Sequence, residues 1–343
     1  MSENHSKAKL NDVARVAGVS MATASRAMSA PELVKPATTA KVHEAARLLG
    51  YVAHGAARAL ASRRTHTIGA VIPTLDNPVF AHATQALQRA LGEHGYQLLL
   101  GSHEYDSDRE LQVTRALLER GVDAVMLVGT DHSPELYQLL LGFRIPYVLI
   151  WALDESGHHD SVGFNNREAA ARVARYVYGL GHRCFAVISG LTAHNDRARD
   201  RIIGVREALA ARGIALLPQQ VTETTYTVQS GREALRAVMQ QVPRPTVVIC
   251  GNDVLAQGVL LEANAMGIAV PGELSVTGFD DLELVAHTPP GLTTVRVPTV
   301  EIGRRVALHV LARLNGEAAE QRTEVQVELI VRGSTAPPAK KPR

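Results

Sequence analysis

Two residue classes are scarce in this 343-residue chain: aromatics make up 4%, with a single tryptophan, and there are two cysteines, Cys184 and Cys250. Two thiols build neither a disulfide framework nor a four-ligand zinc site. No apolar run reaches the roughly 18 residues that a membrane span needs. The N-terminus, MSENHSKAKLNDVA, carries no apolar stretch behind its charges, which speaks against a secretory signal. Catalytic motifs are missing as well. There is no Walker loop, nucleophile elbow or His-Glu-x-x-His, and Gly179-Leu-Gly181 neither follows a strand nor has the third glycine of a dinucleotide fingerprint. His158-His159, with Asp154 and Glu155 nearby, is the one doublet that suggests a metal, and a solvated turn fits it better. The reading is a soluble, cytoplasmic chain with no catalytic residue, metal ligand, cofactor or membrane partner.

What is present is a lopsided charge. At 46% hydrophobic and 20% charged residues, the chain has apolar matter for two or three packed domains. Its net charge of +2 hides a division: residues 1–66 hold ten Lys and Arg against four Asp and Glu, or +6, which leaves −4 for the remainder. A small basic head on a mildly acidic body points to a polyanion as the head's partner. Charge alone fits a solvated basic arm equally well, so the pattern inside the head has to separate the two.

Leu10, Val13, Ala14 and Ala17 follow the i, i+3, i+4, i+7 helical template. Gly18 ends that helix, and Ser20 is a natural N-cap for a second, Met21 to about Ser29. After the turn signals Ala30-Pro31 and Lys35-Pro36, Val42, Ala45, Ala46 and Leu49 repeat the spacing in a third. Two short helices joined by a glycine turn and braced by a third make a helix-turn-helix, whose second helix enters a major groove. Arg26 offers guanine a bidentate fork, and Met21 and Ala22 suit thymine methyls. Ser20, Thr23 and Ser25 suit phosphate or base contacts. A generic three-helix bundle has the same periodicity.

The run from Leu10 to Arg26, LNDVARVAGVSMATASR, continuing to Leu49-Gly-Tyr51, resembles the head of lactose-repressor (LacI-type) transcription regulators. The resemblance extends over nearly the whole chain. It implies a DNA-binding head over 1–51 and a linker over 52–66. In that family the linker is a hinge helix, paired across a homodimer in the minor groove, with one leucine per subunit wedged into a base step. Leu60 matches that leucine, and Ala57, one turn earlier, allows close approach. The expected DNA-contacting set is therefore Leu10, Ser20, Met21, Ala22, Thr23, Ser25, Arg26, Ala57 and Leu60. Ala24 departs from a usually larger β-branched residue, and Ala53 and His54 depart from the family's Pro and Asn.

From Thr67 onward, strand-like runs such as Thr67–Pro73, Asp123–Gly129, Cys184–Ser189 and Thr246–Cys250 alternate with amphipathic segments such as Phe80–His94 and Val254–Met266. This is the βαβ alternation of doubly wound parallel sheets, occurring as two sets on either side of about Asn165. The fold class is α/β: a helix-turn-helix head and a two-lobed, periplasmic-binding-protein-like body over 67–336. Lobe 1 takes about 67–165 and 298–323, lobe 2 about 166–297 and 324–336, and 337–343 is read as a disordered tail. Ligands of such sheets bind outside the carboxyl ends of the strands.

Stretches such as Gly251-Asn-Asp253 and Gly278-Phe-Asp280-Asp281 carry the family resemblance through the body, and Asn77-Pro-Val-Phe80 and Val162-Gly-Phe-Asn165 look closest to its gluconate-repressor branch. The resemblance implies effector contacts at Arg201, Asp280 and Asn252, with Phe80 and Tyr226 as aromatic walls. Trp151 stands where sugar-binding members often have aspartate, which turns the expectation away from a simple hexose. The function so implied is an effector-controlled repressor on near-palindromic operator DNA, as a homodimer because STAPPAKKPR at the end offers no tetramerising heptads. A transport solute-binding protein and a sugar-processing enzyme with a regulatory head are the competing readings. The first needs a signal peptide and no basic head, the second a nucleophile or base in the cleft.

Overall fold

The computed structural model describes residues 8–52 and 64–339, which divide into two compact units, one ending at His66 and one beginning at Thr67. Ala57 and Leu60, and with them the hinge expectation, lie outside the described residues.

The first unit contains helices α1 (Leu10–Ala17), α2 (Met21–Ser29) and α3 (Pro36–Leu48). Gly18 closes α1 at φ 67°, a left-handed conformation that costs glycine least, and the turn lets α2 start at once. Ser20 caps α2, its Oγ accepting from the Thr23 amide at 3.1 Å. Pro36 opens α3, where a missing N–H leaves no bond unmade. The core is small and built largely of alanine: Val13, Ala14, Ala24, Ala27, Val42, Ala45 and Ala46, ringed by half-buried Leu10, Met28, Leu49 and Tyr51. Ala24 is fully buried there, so a larger side chain is not needed to close this core.

The second unit opens with β1 (Thr67–Ile72), α4 (Pro78–Glu93), β2 (Gln97–Ser102), α5 (Ser107–Glu119), β3 (Ala124–Val128), α6 (Pro134–Phe143), β4 (Tyr147–Ile150) and β5 (Ser161–Gly163). The chain then builds α7 (Asn166–Gly179), β6 (Phe185–Gly190), α8 (Asp196–Ala210), β7 (Val221–Thr224), α9 (Val228–Val238), β8 (Val247–Cys250), α10 (Asp253–Ala265) and β9 (Ser275–Thr277). It ends with α11 (Glu283–His287), β10 (Thr294–Arg296), α12 (Thr299–Leu314), β11 (Arg322–Glu324) and β12 (Glu328–Ile330).

Two parallel sheets result, ordered β11-β5-β4-β3-β1-β2 and β7-β6-β8-β9. Central strands β3, β6 and β8 are buried throughout, as strands covered by helices on both faces must be, whereas edge strands β2 and β7 are partly exposed. In each sheet the order reverses beside the first strand, β1 next to β3 and β6 next to β8, and these are the switch points where ligands bind.

After β10 the chain returns to the first sheet: α12 packs on α4, and β11 joins β5 with Thr323 beside Val162. It then crosses back to pair β12 antiparallel with β10. Helices α6 and α12 add to the expected segments; α6 runs rich in Leu and α12 in Leu and Val, where apolar content hides helical period. The end of the chain stays seated on the second lobe as far as Ala336, whose N–H donates to Ser275 Oγ at 3.1 Å and whose carbonyl meets His182 Nε2 at 3.0 Å. The tail expected from 337 lies, for its last four residues, outside the described ones.

Candidate functional site

All six residues expected to contact an effector, Phe80, Trp151, Arg201, Tyr226, Asn252 and Asp280, line one cavity between the two sheets. Trp151, Tyr226, Asn252 and Asp280 come just past the carboxyl ends of strands and Phe80 and Arg201 lie on the helices that follow β1 and β6, so the parallel topology delivers residues far apart in sequence to one place. Sequence reasoning missed Val79, Tyr105, Asn195 and Arg197, which share this lining with Asn77. The inner space is about 30 Å³, room for roughly two waters. An outer vestibule of about 320 Å³ continues from it past Tyr105 and Tyr226, whose rings lie 5.8 Å apart. The tip of the Tyr226 ring sits against Gly190, where a Cβ would come within 2.1 Å of its Cζ, so a larger residue there would push the ring aside.

The floor is aromatic. Trp151 meets Phe80 edge-on at 5.5 Å and Phe164 at 6.3 Å, and Phe164 stacks on Phe279 at 6.0 Å. Trp151 sits at φ 70°, a strained backbone for so bulky a residue, and its carbonyl accepts from Asn166 Nδ2 at 2.9 Å. Asn166 in turn accepts from Arg201 Nε at 2.9 Å, while Arg201 Nη1 donates to the Gly251 carbonyl at 2.6 Å and its plane lies 3.6 Å above Phe279. Arg201 is thus held as a rigid donor fork.

Asp280 is buried at φ 118°, another strained backbone. Burial pushes its carboxyl well above the usual carboxylate range, and Arg201 opposes that push only in part. Burial likewise depresses Arg201, with Asp280 working the other way. Asn252 is 1% exposed; its Oδ1 caps α10 by accepting from Leu255 N at 2.9 Å, and its Nδ2 has no partner.

The lobes are pinned across the cavity by α8. Asp196 accepts from Thr130 N at 2.8 Å and Thr130 Oγ1 at 2.9 Å, Arg197 donates to the Val128 carbonyl at 3.0 Å, and Arg199 pairs with Asp131 at 2.8 Å. Burial works to raise the Asp196 carboxyl, but Arg197 and Thr130 outweigh it and hold the group below its ordinary value.

In the head, Met21, Ala22, Ser25 and Arg26 are exposed along one side of α2, with Met21 58% accessible. Ser20 and Thr23 bond each other through their hydroxyls at 2.8 Å, and Leu10 lies half-buried against the core. The histidine doublet forms a turn organised by Asp154, which accepts from the amides of Ser156, His158 and His159. Among the described residues no group of three His, Cys, Asp or Glu is arranged to hold a metal ion.

Comparison with known proteins decides the family. Residues 9–54 match the model for bacterial regulatory proteins of the lacI family, and residues 174–335 match a periplasmic binding protein-like domain. Catabolite control protein A of Priestia megaterium is 30% identical over 92% of this chain and 95% of its own length. The chain belongs to the LacI family. The HTH-type transcriptional regulator GntR of Pseudomonas aeruginosa is 34% identical over 95% of both chains. A solved LacI-family regulator from Silicibacter pomeroyi superposes with a TM-score of 0.86 at 29% identity, over 95% of this chain and 99% of that one. This LacI-family chain is therefore a DNA-binding transcription regulator with a ligand-binding, periplasmic-binding-protein-like body.

Proposed function

We propose that this LacI-family regulator is a homodimeric repressor working in the cytoplasm without catalysis, and that a small metabolite held between its lobes controls its grip on operator DNA. The observation that carries this is the convergence of the six residues that the family resemblance implied on one cavity that α8 closes. Exposed Met21, Ala22, Ser25 and Arg26 read base edges, and Ser20 and Thr23 position the helix on phosphate. The effector is a sugar, sugar acid or related metabolite. An inner space of two waters cannot take such a molecule as it stands, so binding separates Asp196 and Arg197 from Thr130 and Val128, or parts Tyr105 from Tyr226. Either change alters the relation of the lobes, and that difference in contacts is what couples effector to operator.

Trp151, the only tryptophan, reports on the cavity. The test is to titrate candidate effectors against Trp151 fluorescence and against operator-fragment binding at fixed, low salt. A ligand that moves both, without being consumed, supports the reading. A protein indifferent to promoter fragments with every ligand overturns it, as does turnover of the ligand.

A further inference from the structure

The peptide unit between Gly129 and Thr130 is held from both ends. Its N–H donates to Asp196 Oδ2, on the other lobe, at 2.8 Å, and its carbonyl lies 3.0 Å from His132 Nε2. A carbonyl only accepts, so Nε2 carries a hydrogen. The second ring nitrogen, Nδ1, lies 3.0 and 3.1 Å from the two carboxyl oxygens of Glu110, on α5. Two bare lone pairs repel at that distance, so this contact holds a proton as well. His132 and Glu110 together thus bind one proton more than a neutral imidazole beside a free carboxylate. Their side chains are 2% and 5% exposed, so water does not stand in for either partner. The peptide they orient pivots on Gly129, which sits at φ 99° with its own N–H fixed to the Ile150 carbonyl at 2.8 Å. A Cβ at that position would strike Arg197 and Asp196, so the turn lies directly against the helix that pins the lobes.

We infer that His132 and Glu110 are a positioning pair whose shared proton aims the Thr130 N–H at Asp196, so that the contact between the lobes loosens as pH rises. Once that proton leaves, His132 keeps a single N–H for two acceptors. The carboxylate attracts it more strongly than a neutral carbonyl does, so Nδ1 retains it and a bare Nε2 faces the Gly129 oxygen. That repulsion turns the peptide and withdraws the Thr130 N–H from Asp196. The surrounding groups leave this proton as the one that responds. His103 lies 3.7 Å from Glu110, beyond hydrogen-bonding distance, with both ring nitrogens buried and unpartnered. Burial depresses its pKa; Glu110 opposes that, while Arg197 and His132 add to it. Tyr137 of α6 meets the His132 ring edge-on at 5.8 Å and donates to the Thr130 carbonyl at 3.2 Å. Burial carries its hydroxyl well above the ordinary value, and Asp154 adds to the rise from the loop before β5, where His159 stacks on Tyr137 at 4.5 Å. From α8 come Arg197, the low-lying Asp196 carboxylate and Arg199, which is paired with Asp131. Resting on the function proposed above, the regulator's hold on operator then depends on pH even without effector.

The test follows hydrogen exchange at the Thr130 amide of the full-length protein between about pH 6 and 9, corrected for the intrinsic exchange rate at each pH. Ring nitrogen shifts of His132 and operator-fragment affinity without effector are measured on the same samples. Wild-type protection at Thr130 is expected to fall roughly tenfold across that range, in step with the titration of the His132 ring. Glu110→Gln offers His132 Nδ1 an NH2 in place of the shared proton, so Nε2–H stays on the Gly129 carbonyl and protection should stay high and flat. His132→Ala should leave Thr130 poorly protected at every pH. A merely structural role for Glu110 predicts the opposite, a pin that the glutamine weakens. Wild-type protection indifferent to pH, a His132 titration that does not coincide with its loss, or a Glu110→Gln profile that falls like the wild type overturns the pair. Should Glu110→Gln fail to fold, the coincidence of ring titration and amide exchange in the wild type still decides. Operator affinity should change about threefold or more across the range in the wild type and stay level in Glu110→Gln. If Thr130 responds while operator affinity does not, the positioning pair stands and its link to DNA falls; if no operator is held at any pH, it is the regulator reading that fails.

Discussion

Two polar groups at helix N-termini, Ser20 in the head and Asn252 in the body, begin alike and end in opposite states. Ser20 caps α2 and then closes its hydroxyl on Thr23, leaving no unmet demand. Asn252 caps α10 and keeps its remaining NH2 buried without a partner. The difference follows from solvent. A DNA-contacting face is wet until DNA arrives, so its polar groups are satisfied by water and reserve nothing. In a closed cleft a donor left unmet costs about 1–3 kcal/mol, and a group that accepts from it recovers that penalty. On the proposed function, the head carries its specificity on exposed side chains and the body in buried ones.

The sharpest way to break this contrast is to empty the body's aromatic floor. Phe164→Ala should destabilise the body by about 3–5 kcal/mol, read from Trp151 fluorescence in urea, because a fully buried ring between Trp151 and Phe279 leaves a cavity. The head contains no tryptophan, so that signal belongs to the body alone. A midpoint unmoved by this substitution would mean the floor is not a packed unit. In the head the strongest single effect falls on an exposed group: Arg26→Ala should cost about 1–3 kcal/mol of operator affinity in a gel-shift or anisotropy titration, with effector affinity measured without DNA unchanged. If effector affinity falls in step, exposure and function are not separable as argued.

A smaller effect is expected at the cap that closes on itself. Ser20→Ala should lower the head's stability by about 1 kcal/mol, seen in a far-ultraviolet melt, and Ser20→Asn should restore it. The last of the four is a matter of pH. Asp253 is fully buried, accepting from Thr294 Oγ1 and Leu282 N, and burial carries its pKa to about 7 from 3.8. The unfolded chain loses this proton first, so the native state binds more protons between about pH 4 and 7 and stability falls as pH rises through that window. Asp253→Asn keeps a donor and an acceptor in place and should flatten the slope; an identical slope in urea midpoints at pH 5, 6 and 7 would assign it elsewhere.

How much of this was legible varies with the range of the signal. The head's helices follow from spacing within eight residues and from Gly18 and Ser20, because cap and period act locally. In the body the strands were readable as apolar runs, but α6, Pro134–Phe143, blurs its period with three successive leucines. Arg201, Asn252 and Asp280 were reached through family resemblance, whereas Asn195, Arg197 and Tyr105 have no local pattern that marks them. A signal did exist for part of that set. An asparagine just past an apolar run and before a helix, as at Asn77-Pro78 and Asn252-Asp253, is an N-cap at a strand's carboxyl end, and in a doubly wound sheet that is where a ligand sits.

From residue order alone came the basic head, its three helices, the alternation of strands and helices, and the family. Those depend on short-range periodicity, capping and charge, each of which acts between neighbours along the chain. Tertiary structure alone decided that residues from Asn77 to Asp280 share one cavity, that Asp196 and Arg197 pin the lobes across it, and that Asn252 is left with a donor to give. Partnerships and burial are set by which strand ends the sheet topology brings face to face, and no stretch of sequence contains that information by itself.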